Sequence, residues 1–258
     1  MNQEFLISVV IPTYRRIDQT VEAVRSVINQ TFVPFEIIVV QDEISPLLSE
    51  ALQSQNLLSF VKVFQMEHSG LPAKVRNLGI RHSGGNWIGF LDSDDVWFPE
   101  KLEKQIDYIK SLNLDCVSAS SPKVKSTGDS KKFKVTLKRL LKCNFVVNSS
   151  VLVKKDELLR IDGIPEERNL VGVEDYAAWL RLCTSVNWFH FEEDILAYEN
   201  LAEDRLSVDL QKSTLNRYFA ILAYVEWLMS KGNKLLVTRF LLRFMPFTIL
   251  AGKRRNIE

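Results

Sequence analysis

Two groups of acidic side chains in this 258-residue chain could do chemistry: Asp92, Asp94 and Asp95 in GFLDSDDVW, and Glu174 with Asp175 in GVEDYAAW. Three carboxylates at the end of an apolar run repel one another unless something positive sits among them. A hard divalent cation would do so, because such ions take oxygen ligands and are held by one or two carboxylates plus substrate phosphates. A solvated turn that caps the next helix accounts for the same residues without chemistry. On extended backbone, positions two apart share a side, so Asp92 and Asp94 would face one site and Ser93 the other way. Glu174 and Asp175, taken alone, suit the positive end of a helix. Trp179 follows Asp175 one turn later, where it would wall a site or pack in the core.

The elements that must position these acids can be read from hydrophobic period. Short β-branched runs (ISVVIPT, FEIIVV, FVKVFQ, NWIGFL, DCVSAS) alternate with helix-period segments, the signature of a parallel sheet with crossover helices. Asp18 is placed to cap a helix carrying Val21, Val24, Val27 and Ile28 on one face, and Ser45-Pro46 opens another. Such a sheet collects ligands at the carboxyl ends of its strands, where Pro12 to Tyr14, Gln41-Asp42 and Asp92 to Asp95 would meet. Further on come a strand pattern in FVVNSSVLV, a short helix from Lys155, a helix near Glu174 and helix without strands from about Ser207.

Composition narrows the class. A 46% apolar chain with a formal net charge of +1 has ample core and no overall polyanion-binding character, so no nucleic-acid partner is expected. Cys116, Cys143 and Cys183 fit neither a disulfide framework nor a paired zinc motif, which favours a reducing, cytoplasmic setting. The first residues lack a signal-peptide pattern, and LLVTRFLLRFMPFTILA is interrupted by Arg239, Arg243 and Pro246, so no membrane span is expected. Charge is nonetheless uneven. Residues 122 to 142 hold eight Lys or Arg against one Asp, which reads as a solvated loop leading into a basic helix or as a loop that meets phosphate. Residues 231 to 258 hold seven against one Glu, with Leu236, Val237, Phe240 and Phe244 on the side opposite Arg239 and Arg243, the character of a helix lying on an anionic membrane.

Five segments, in order over residues 7 to 182, together resemble the family 2 glycosyltransferases of GT-A fold, mostly inverting enzymes of bacterial surface polysaccharide assembly: SVVIPTYRR with the later QTF, EIIVVQDE, AKVRNLGIRHSGGNWIGFLDSDD, NSSVLVKK and GVEDYAAWLRL. The resemblance implies a nucleotide-binding, mostly parallel twisted α/β sheet flanked by helices, spanning residues 1 to 206 with a donor half to about 118 and an acceptor half from about 143, followed by a C-terminal helical extension over 207 to 258. It places Pro12, Thr13, Tyr14 and Asp42 beside the nucleoside, and Lys74, Arg76 and Asn77 along the donor pocket. Asp92 and Ser93 fall on the donor side, Asp94 at the position of the metal ligand, and Asp95 either behind it or as a helix cap before Pro99. It takes the catalytic base from the Glu174-Asp175 pair, at Asp175.

Two departures stand out. Where relatives commonly read VVDDGS this chain reads VVQDEIS, so only the second acid is kept. Where many carry a Tyr, Arg and His cluster, LAYENLAEDRLS has no His, leaving Arg205 and Ser207 as the candidate diphosphate contacts. The implied reaction moves a sugar from a nucleoside-diphosphate donor, a UDP-sugar above all, to a hydroxyl of a saccharide acceptor carried on a lipid diphosphate, with Mn2+ or Mg2+ and with peripheral contact at the inner membrane face. A nucleotidyltransferase that makes sugar nucleotides would share the sheet and the metal, but it would need a Gly-rich loop after the first strand, and VIPTYRRIDQT has no glycine. A non-catalytic relative acting as a binding module would not need both Asp94 and Asp175.

Overall fold

The computed structural model describes residues 4–120, 132–193, 196–198 and 210–234, together with 237, 238 and 240. Its centre is an eight-stranded sheet in the order β3-β2-β1-β4-β8-β6-β9-β7. The strands are β1 (Ile7–Thr13), β2 (Glu36–Gln41), β3 (Val61–Gln65), β4 (Trp87–Phe90), β6 (Cys116–Ala119), β7 (Lys132–Lys134), β8 (Leu152–Lys154) and β9 (Trp188–Phe191). The first four pair in parallel, as the sequence leads one to expect. Beyond β4 the sheet is mixed, because β8 runs antiparallel to both β4 and β6 while β6 and β9 are again parallel. A second, two-stranded sheet pairs β5 (Asp95–Trp97) with β10 (Leu196–Tyr198).

Both faces of the sheet are covered at its central strands, which is why β1, β2 and β4 read as near-continuous apolar runs. Val9, Ile11, Val39, Leu91 and Val117 pack on one side with α1 (Ile17–Ile28), α2 (Leu47–Ser54) and α4 (Lys101–Leu112). Val10, Ile88, Phe90 and Val153 pack on the other with α5 (Leu137–Lys142), α6 (Lys155–Arg160), α7 (Glu174–Leu182) and α8 (Leu210–Ser230). Helix α3 (Pro72–His82) lies on β1 and β2 through Gly79, where a Cβ would come 2.5 Å from Val10 Cγ1. That close approach sets the height of Arg76 above the strand ends. Helix α8 shares the core of α7, since Ala220, Tyr224 and Leu228 belong to the cluster that holds Trp179.

Three local expectations change. Asp18 lies inside the first turn of α1, whose N-cap is Arg16. The FVVNSSVLV run is not one strand: Asn148–Ser150 forms a 3-10 turn and β8 begins only at Leu152. Short polar side chains bond nearby backbone and compete with a ladder, which is what breaks the strand here. Residues 91 to 94 are a loop and turn between β4 and β5, so the two-residue alternation does not govern where Asp92, Ser93 and Asp94 point. The basic stretch does end in a helix, α5, but residues 121 to 131 lie outside the described residues, as does most of the proposed membrane helix beyond 234.

Candidate active site

The carboxyl ends of β1, β2 and β4 lie side by side where the strand order reverses around β1, the place at which open α/β sheets bind ligands. At the end of β1, the Thr13 carbonyl accepts the Asp42 N–H at 2.9 Å, locking the first two strand ends together. The Thr13 hydroxyl is 2.7 Å from that of Thr20 on α1. Asp42 is buried, and its carboxylate accepts from the Ser69 N–H and hydroxyl at 2.8 and 2.9 Å and from the Gly70 N–H at 3.0 Å. The His68 Nδ1 stands 3.0 Å from the same carboxylate, and its ring stacks on half-buried Tyr14 with centroids 4.1 Å apart. Pro12, Thr13, Tyr14 and Asp42 therefore do form one edge. His68, which the sequence leaves as a scattered histidine, completes it.

The loop after β4 carries the acids. Asp92 Oδ1 accepts from the Arg76 guanidinium at 2.7 Å and from the Asn148 amide at 2.9 Å. Arg76 reaches on with its other terminal nitrogen to Glu174 Oε1, also at 2.7 Å. Burial disfavours the charge of Arg76, but Asp92 and Glu174 outweigh it and hold its pKa above that of an ordinary arginine. One cation thus ties the end of β4 to the head of α7. Asp94, about a third exposed at 32%, pairs with Arg16 at 2.8 Å. Ser93 is buried, and Asp95 is buried within β5, accepting from Ser149 Oγ at 2.5 Å. That contact puts Asp95 behind the loop and removes the helix-cap alternative, since the N-cap of α4 is Glu100.

At the head of α7 the two acids part ways. Glu174 is buried and bridged, accepting from Arg76 and from the Gly172 N–H at 2.7 Å. Asp175 accepts the Tyr176 N–H at 2.6 Å. Its pKa is pushed up to about 7, first by burial and then by the charge of Glu174, with Arg76 pulling the other way and Asp92 adding to the rise. A carboxyl poised near neutrality is what a general base requires.

Other expected site residues lie elsewhere. Asn77 grips the Ile164 main chain in both directions, at 2.7 and 2.9 Å, and bonds Glu166. It therefore clamps the loop before α7, a structural bond set beside the donor-pocket place that the family resemblance implies for it. Lys74 is exposed while Arg76 and Asn77 are buried on the same helix. Trp179 is fully buried against Phe90 and Trp188, a core residue and not an acceptor wall. Helix α7 is buried nearly all round, so its one-turn spacing cannot tell a site face from a core face. Arg205 and Ser207 lie outside the described residues. Arg16, Asn148 and Ser149, absent from the sequence-based set, contact its acids directly; only tertiary packing brings them there.

Among the described residues, no three His, Cys, Asp or Glu side chains converge as a ligand set for a metal. The donor chemistry of Asp94 still fits the expected Mn2+ or Mg2+, because a single partly exposed carboxylate completed by substrate phosphates is enough for a hard cation. Among the described residues, no helix is long and apolar enough to cross a membrane.

The family model for glycosyl transferase family 2 matches residues 8–153, more than half of the chain. An uncharacterized glycosyltransferase of Rickettsia bellii is 41% identical over 108 residues, 42% of this chain and 16% of that protein. This chain spans a fifth or less of the length of the three Rickettsia relatives it matches. The Escherichia coli protein WfgD, a UDP-Glc:alpha-D-GlcNAc-diphosphoundecaprenol beta-1,3-glucosyltransferase, is 28% identical over 189 residues, 71% of this chain and 72% of WfgD. Among solved structures, S. aureus TarS 1–349 in complex with UDP superposes with a TM-score of 0.67 at 21% identity, covering 98% of this chain and 75% of that one, a likeness of fold.

Proposed function

This chain belongs to glycosyl transferase family 2, and we propose that it transfers a sugar with inversion from a UDP-sugar to a hydroxyl of a lipid-linked saccharide in surface polysaccharide assembly. The observation that carries the reading is the Asp92–Arg76–Glu174 bridge, which brings a carboxyl poised near neutrality, Asp175, within electrostatic reach of the acid loop at the strand ends. In this reading Tyr14, Thr13 and Asp42 hold the nucleoside and the Asp92–Asp95 loop faces the diphosphate. A divalent cation, when bound, neutralises charge on the leaving diphosphate, and Asp94 is the side chain that would hold it. Asp175 accepts the proton of the acceptor hydroxyl as that oxygen bonds to the anomeric carbon. The bond from that carbon to the diphosphate breaks, and its electron pair leaves with UDP. A single displacement inverts the anomeric centre, and no covalent sugar intermediate forms.

The name of WfgD supports a UDP-sugar donor and a diphospholipid-linked acceptor, and TarS has been solved with UDP-GlcNAc. Peripheral contact with an anionic membrane belongs to the same reading, because a lipid-linked acceptor is presented there. Incubating the protein with a panel of nucleotide sugars, lipid-linked saccharides and Mn2+ or Mg2+ tests the whole reading. Acceptor-dependent UDP release with an inverted linkage by NMR is the expected result. Nucleotide transfer onto a sugar phosphate, or no turnover with any pair, would overturn it.

A further inference from the structure

We propose that Asn148, Ser149 and Ser150 form a positioning bracket for the acid loop, with Ser149 at its centre; the inference rests on the donor-side reading of that loop. All three residues are buried, at 4%, 0% and 0% exposure. The Asn148 amide donates to Asp92 Oδ1 at 2.9 Å. The Asp92 N–H donates to Ser149 Oγ at 3.0 Å, and the same hydroxyl donates onward to Asp95 Oδ2 at 2.5 Å. One oxygen therefore fixes the main chain of the first aspartate and the carboxylate of the last, with Asp94 held between them.

The bracket is braced from behind. The Ser149 carbonyl accepts the Trp97 Nε1–H at 2.8 Å, and the Ser150 carbonyl accepts the Gln105 amide at 2.7 Å. Lys101, fully buried, sets its Nζ 3.7 Å over the Trp97 ring and bonds Gln105 at 2.7 Å. The acid loop, β5 and the start of α4 are thus pinned to three consecutive polar residues.

Two features separate this arrangement from ordinary core packing. First, apolar neighbours on both sides, FVV before and VLV after, would let the segment run on as a buried strand; the polar triplet gives up that ladder, Asn148 and Ser149 turn their side chains to the acids, and the Ser150 hydroxyl ties the turn to the Val147 carbonyl. Second, the amide of Asn148 must present its N–H to the Asp92 carboxylate, which leaves its Oδ1 buried without a hydrogen-bond partner. An unsatisfied buried acceptor is destabilising, and such costs are retained where a fixed geometry is used for binding.

None of the bracket's contacts reaches Tyr14, Thr13 or Asp42. Loosening it should therefore weaken the hold on a diphosphate and spare the hold on a nucleoside. The test measures UDP affinity by titration calorimetry with Mn2+ and uridine affinity by ligand-observed NMR, on the full chain and on Ser149→Ala. Losing bonds to charged groups predicts UDP binding roughly tenfold weaker, with uridine binding within about twofold of wild type. Should Ser149→Ala fail to fold, Asn148→Ala carries the same measurement, because it deletes a single bond and an acceptor that is already unpartnered. Affinities for UDP and uridine that fall together, or that both stay unchanged, would overturn the bracket alone. A wild-type protein that binds uridine no worse than UDP would instead overturn the donor-side reading, and the bracket with it.

Discussion

The acids at the strand ends and the acid pair at the head of α7 are the same carboxylates in opposite circumstances. Asp42 has three N–H and O–H donors within 3.0 Å, Asp92 an arginine and an amide, and Asp94 an arginine. Across the Arg76 bridge, Glu174 takes the cation and Asp175, its neighbour, meets burial and like charge. The acids of the strand ends are thus held in place by donors. A group whose surroundings disfavour its charge is set to pick up a proton. The difference teaches that role here follows from the partners each acid has been given, and that Arg76 divides the two regions.

The strongest way to break the comparison is at Asp94. Asp94→Ala should abolish turnover and sharply weaken metal-dependent UDP binding, while leaving the fold intact because the side chain is partly exposed and its ion pair with Arg16 is at the surface. Chelation with EDTA should act likewise on the wild-type protein, and full activity in EDTA would remove the cation from the account.

Deleting the divider comes next. Arg76→Ala leaves Asp92 and Glu174 without their shared cation, and stranding a buried partner costs about 3–5 kcal/mol, read as a lowered midpoint in urea. It also removes the positive charge that lowers the Asp175 pKa, so the acid limb of the pH–rate profile should move to higher pH in whatever enzyme stays folded. A limb that stays in place would mean Arg76 does not set the contrast.

A smaller effect sharpens the same contrast through stability. A carboxyl whose pKa rises from 3.8 to about 7 on folding binds its proton more tightly in the native state, so its contribution is present below pH 4 and is lost as pH climbs through about 7. Asp175→Asn, which cannot ionise, should melt at a higher temperature relative to wild type at pH 8 than at pH 5. Lys101 gives the mirror image. Burial lowers its pKa, so wild type should gain stability over Lys101→Met as pH rises toward 10. Differential melting across pH checks both signs.

The sequence was most legible where burial is symmetrical. β1, β2, β4 and β6 are covered on both faces, so ISVVIPT or EIIVVQ can hardly be anything but interior strand, and their ends mark the edge where Thr13, Asp42 and Asp92 meet. The family resemblance then supplied roles that periodicity could not. What stayed hidden has a common cause. β5 and β10 are three residues each, too short to show a period, and NSS reads as strand because FVV and VLV flank it, while the acids its side chains bond lie more than 50 residues away in sequence. Asn77 and Trp179 carry the residue types of a site but serve a loop clamp and the core, and only their three-dimensional neighbours say so.

The proposed base, Asp175, would take the proton from the acceptor hydroxyl. Measuring kcat/KM against pH for wild type and for Asp175→Asn, alongside UDP-sugar affinity, tests it most directly. The account predicts a wild-type acid limb near pH 7 that disappears in the variant, and a rate lower by about 10² to 10⁴ with donor affinity little changed. A variant whose kcat stays within about threefold of wild type, with the same limb, would show that the base lies elsewhere.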